Sequence, residues 1–90
     1  MARFFFHLRE HSGRLDDEEG VELSFEEVDA AALETVRALI AADVLEGRLD
    51  LNGLIEVEDE SGATVHTRTF ASAVTVAPVT PEPLIEVRLV

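Results

Sequence analysis

Ninety residues, 47% hydrophobic and 29% charged, suffice for one folded domain and are too few for two separate cores. The 19 acidic side chains against 7 basic ones, all arginine, leave a net charge of −12, which repels phosphate backbones and argues against direct DNA or RNA binding. Cysteine is absent, which removes disulfides and thiolate metal sites, and no apolar run of about 18 residues is present to span a membrane.

The segment Met1–Leu8 is too short and too quickly followed by charge to be expected as a signal peptide, and a cytoplasmic location is the default expectation. Its aromatic density, Arg3-Phe4-Phe5-Phe6-His7-Leu8, predicts a strand. Side chains alternate, so Phe4, Phe6 and Leu8 are assigned to a helix-packed core, and Arg3, Phe5, His7 and Arg9 to the opposite face. From Glu10 to Glu19 the chain turns polar. The run Asp16-Asp17-Glu18-Glu19 reads as a solvated turn rather than a cation site, because consecutive residues rarely converge on one point. Gly20-Val21-Glu22-Leu23 reads as a short strand pairing back towards the first.

Ser24 to Gly47 is the one long helix. Ser24 and Glu27 have capping-box spacing, and Glu26, Glu27 and Asp29 place negative charge where the helix dipole favours it. Alanines fill the interior, and Gly47 supplies a left-handed stop. At about 100° per residue, Val28, Leu33, Val36, Leu39, Ile40 and Val44 form one broad stripe for burial. Asp50, Asn52, Gly53 and Asp59 superficially fit a calcium loop, but Arg48 stands in the first ligand place and a strand follows.

Leu54–Glu58 and Ala63–Thr69 read as strands joined by a hairpin turn at Asp59-Glu60-Ser61-Gly62. Ile55 and Val57 face the core, with Val65 and Ala63 opposite them. Phe70–Val76 is open between a continued strand, an irregular cover and a further short strand. Residues 77–83 carry three prolines and form a stiff arm, spanning roughly 3 Å per residue in polyproline geometry. Leu84–Val90 is a strand that must lie on a sheet edge, its own or a partner's. The expectation is thus an α+β domain over residues 1–76, an arm over 77–83 and a terminal strand over 84–90. Its architecture is β-β-α-β-β plus the C-terminal strand, an antiparallel sheet of four to five short strands with one long helix on one face.

Arg3-Phe4-Phe5-Phe6-His7, Asp17-Glu18-Glu19-Gly20-Val21-Glu22-Leu23, the alanine-rich helix, and Ile55-Glu56-Val57 followed by Asp59-Glu60 and Gly62 together resemble one family. It consists of small uncharacterised bacterial domains, known only as a domain of unknown function. The resemblance runs from Met1 to about Val76 and excludes the arm and terminal strand. It implies a single α+β domain in a bacterial cytoplasm, and it carries no catalytic residues to transfer.

No nucleophile elbow and no phosphate-cradling glycine loop is present, and neither a cofactor nor a metal is expected. His7, His11 and His66 are the only groups suited to proton transfer near neutrality. The surface singled out for contact is Arg3, Phe5, His7, Arg9, Leu54, Glu56, His66, Arg68 and Leu84, all assigned to the sheet face away from the helix. Phe5, Leu54 and Leu84 there suggest a non-enzymatic interaction module that self-associates as a homodimer or binds an unidentified protein partner. Two alternatives accompany it: a ligand-binding protein or acid–base enzyme using His7 and His66, and an acidic nucleic-acid mimic that binds a basic partner.

Overall fold

A computed structural model describes residues 1–81. The chain runs β1 (Ala2–Glu10), β2 (Gly13–Leu15), β3 (Val21–Leu23), a 3-10 turn (Phe25–Glu27) continuing into α1 (Val28–Leu45), β4 (Leu54–Glu58) and β5 (Thr64–Thr69). Residues 77–81 of the arm have no regular secondary structure. The rest of the arm and the terminal strand expected at 84–90, with Leu84, lie outside the described residues.

β1 is the hub of the antiparallel sheet, whose order is β2-β1-β4-β5. Its C-terminal half pairs with β2, Leu8 opposite Leu15, and its N-terminal half with β3, Phe4 opposite Val21. β2 falls in a stretch read from sequence as a polar turn. A three-residue strand has too little periodicity to be seen there. Since β3 and β4 both run antiparallel to β1, they are parallel to each other, and α1 is the crossover between them.

The helix begins and ends as its residues dictate. The Ser24 amide and hydroxyl both donate to Glu27 Oε1 at 2.9 Å, closing the capping box. At the other end Gly47 adopts φ 85°, and the amides of Gly47 and Arg48 return to the carbonyls of Val44 and Asp43, each at 2.9 Å. Val28, Ala32, Val36 and Ile40 are buried, with Leu33 and Leu39 packed beside them. Val44, expected in the same stripe, is exposed instead, because the last turn projects past the core.

Phe4, Ile55, Val57, Phe70 and Ala73 complete the core. The segment from Phe70 proves to be an irregular cover. The Phe70 amide donates to the Gly53 carbonyl at 2.9 Å, and the phenyl ring lies where a Cβ on Gly53 would approach within 3.1 Å. Arg37 Nε donates to the Ala73 carbonyl at 2.8 Å. α1 packs chiefly over β4 and β5 and covers the half of the sheet around β1 only in part, with Phe4 buried and Phe6 and Leu8 half-buried.

A β-bulge in the last hairpin corrects one expectation. Val57 lies opposite His66, but Glu58 lies opposite Thr64, so Val65 is an extra residue. One extra residue flips the side-chain parity of everything after it. His66 and Arg68 therefore share the face of Val57 and Ile55, towards the helix, and not the face of His7. Val65 is still half-buried against the core, while Ala63 is exposed.

Candidate interaction surface

On the sheet face away from the helix, β1 presents Arg3, Phe5, His7 and Arg9, with Glu58, Glu56 and Leu54 of β4 opposite the last three. This row is a network of paired charges. Arg9 contacts Asp16 at 2.9 Å and Glu56 at 3.4 Å; Arg3 contacts Glu22 at 3.1 Å and the Glu19 carbonyl at 2.8 Å. Hydrogen bonds from Arg9, then Arg14, hold the Asp16 carboxyl below the usual carboxylate range. Phe5 and Leu54 are half-buried, Phe5 stacking on His7 with ring planes 7° apart, and Leu84, the third apolar residue expected on this face, lies outside the described residues.

His7 is 8% exposed, and both its ring nitrogens are occupied. Nδ1 accepts the Asp17 amide at 3.1 Å, which places the proton on Nε2, 3.1 Å from Glu58 Oε1. Neither nitrogen is left to exchange a proton with a substrate. His66 sits across the sheet, its Nε2 3.0 Å from Asp29 Oδ1 on α1, with Arg68 Nη2 3.3 Å from the same oxygen. The carboxylate is poorly aligned with the imidazole, and among the described residues His66 Nε2 and Arg68 Nε are buried without a hydrogen-bond partner. The structure thus separates the two histidines that the sequence reading placed together.

The acidic run 16–19 is more than a solvated turn. Asp17 Oδ1 accepts the amides of Glu19 at 3.2 Å and Gly20 at 3.0 Å, while Oδ2 accepts the Phe6 amide at 3.0 Å, between the two paired ends of β1. Burial pushes the Asp17 carboxyl up, but the three amides outweigh it and the net direction is down. Gly20 follows at φ 70°, where a Cβ would lie 2.8 Å from the Phe4 carbonyl oxygen. The two N-terminal motifs therefore bind each other: Phe6 and His7 to Asp17, Arg3 to Glu19 and Glu22. Their residue types answer to structural needs, an Asx-type loop and a left-handed close approach. An Asp three places before a Gly was the available signal, and it was masked by the surrounding acids. Among the described residues no three His, Asp or Glu side chains converge as a cation site.

The opening that remains is on the helix side. Between α1 and β1 runs an open groove in two overlapping lobes of about 640 and 580 Å³, sharing Phe6, Thr35 and Leu39. Leu8 and Leu15 floor the first lobe, beside the 16–19 loop, and Val21, Leu23, Ala31 and Ala38 line the second. Leu15 is 68% exposed and Val21 43%. None of these was named as surface from sequence, because groove and core residues carry the same apolar pattern.

Fold and surface define a small acidic sheet-and-helix domain whose signature residues are structural. A model of the family described as Domain of unknown function (DUF6894) matches residues 3–71, and the chain belongs to that family. No curated protein and no solved structure matches it.

Proposed function

We propose that this domain is a non-enzymatic protein-interaction module that holds an apolar segment of a partner protein in the groove between α1 and β1. The observation that carries this reading is a continuous apolar strip from Leu15 through Leu8, Phe6 and Leu39 to Leu23 and Val21, left open because the helix lies over β4 and β5. Contiguous exposed apolar surface is costly in water and marks contact sites. A second copy is the weaker occupant, since two chains of net charge −12 would repel each other across it. The histidine-enzyme alternative lacks support from geometry, with His7 and His66 on opposite faces of the sheet.

The test is affinity capture from the native cytosol with three forms of the intact protein, followed by reconstitution with purified components. Leu15→Ser/Val21→Ser changes two exposed groove residues, and Thr67→Ala changes an exposed residue of the far face. A protein retained by wild type and Thr67→Ala but lost from the double variant supports the reading. Equal retention by all three, or by none, rejects it.

A further inference from the structure

We propose that the groove is built for an amphipathic helix whose apolar row is flanked by lysine or arginine; this rests on the reading of the groove as the contact surface. The first argument is coverage. Four strand positions at about 4.8 Å spacing make a face that one helix, about 10 Å across, covers only by half. α1 takes the β4–β5 half, so a second helix lying beside it would bury Phe6, Leu8 and Leu23.

The second argument concerns backbone hydrogen bonds. β1 is paired with β4 on one edge and with β2 and β3 on the other, and Asp17 takes the Phe6 amide in the gap between them. Along β1 the groove thus offers no free backbone for strand addition, and the unpaired edges of β2 and β3 point away from β1. An occupant there must satisfy its own amides and carbonyls, and a helix does so.

The third argument is charge. Asp16 at the rim is neutralised by Arg9 and Arg14, and the Asp17 carboxylate is used up by backbone amides. Glu18 and Glu19 on one rim and Glu34 on the other are exposed, and among the described residues their carboxylates have no basic partner. An apolar floor between unpaired acids complements a helix with cationic flanks, and it attracts such a helix over about 10 Å at moderate salt.

The intact protein should be titrated with a designed helical peptide of roughly five turns, leucines at i, i+3, i+4 and i+7 and lysines beside them. Controls are the same peptide with glutamate for lysine and one of identical composition with the leucine order scrambled. The lysine peptide is expected to bind at least about tenfold more tightly than either control and to weaken about tenfold on adding salt. Amide shifts should fall on β1, β3 and the 31–39 flank of α1. Glu18→Gln/Glu19→Gln/Glu34→Gln, all surface changes, should weaken binding several-fold with the thermal midpoint unchanged. Equal binding of the glutamate or scrambled peptide, shifts on the far sheet face, or binding that appears only after residues 82–90 are deleted would overturn the proposal. A captured partner that needs Leu15 and Val21 but docks through a non-helical or acidic segment would sink this inference alone and leave the interaction reading standing.

Discussion

Gly20 and Asp17 decide how the N-terminal third closes, and each gives a measurable effect. Gly20→Ala adds a Cβ 2.8 Å from the Phe4 carbonyl at a φ of 70°, so it meets both backbone strain and a rigid obstacle. A loss of about 2–3 kcal/mol is expected in urea unfolding. Gly62→Ala at φ 84° meets open space and should cost about 1 kcal/mol, the strain alone. Similar losses at the two positions would show that the close approach at Gly20 is unimportant. The Asp17 carboxyl titrates below its ordinary value of 3.8 in the folded chain. Its stabilisation is therefore complete above that value and disappears as pH falls through the lower folded value. As pH falls below 3.8 the wild type should lose stability more steeply than Asp17→Asn, because the remaining carboxylates titrate alike in both. Parallel curves would mean that the clamp on Phe6 and Gly20 adds nothing.

The helix and the last hairpin show how elements convert pattern into position. Val36 is fully buried at the centre of α1, whereas Val44 is 52% exposed one residue from its end. Val36→Ala removes two methyl groups from the core and should cost about 2–3 kcal/mol; Val44→Ala should fall within about 0.5 kcal/mol of wild type. Comparable losses at both positions would place the helix deeper over the sheet than the exposure of its last turn indicates. In the hairpin, the bulge at Val65 turns His66 and Arg68 to the helix side. They meet Asp29 there, a residue of the first helical turn whose side chain is 64% exposed. A double-mutant cycle between His66 and Asp29 should return less than about 1 kcal/mol, since the Asp29 carboxylate is largely exposed and poorly aligned with the imidazole.

At the scale of the whole molecule the decisive feature is the offset of one helix over a sheet too wide for it. On the side where α1 packs, Arg37 also reaches the Ala73 carbonyl and Asp29 lies beside His66 and Arg68, while Leu15 and Val21 on the other side are left exposed. The apolar strip left open there would have to be shared by two acidic rims in a dimer of this chain. Light scattering should therefore show little association at low salt, with any dimer growing as salt screens the charge. A stable dimer at low salt, lost on Leu15→Ser/Val21→Ser, would return the groove to a second copy of the chain. No helix among the described residues is long and apolar enough to cross a membrane.

Local chemistry determined a good deal of this protein. The helix and both its ends, the inward row Phe4, Phe6, Ile55 and Val57, the Asp59–Gly62 turn and the family all follow from residue types a few places apart, where capping, alternation and turn conformation act. Three things were settled only by tertiary structure. The bulge moved His66 and Arg68 across the sheet, because a single inserted residue leaves local composition unchanged while reversing every later side chain. The Asp17 clamp on β1 depends on the Phe6 amide eleven residues away, which the local spacing of Asp17 and Gly20 does not betray. The groove exists because the helix rests chiefly over β4 and β5, and an apolar residue reads the same whether something covers it or not.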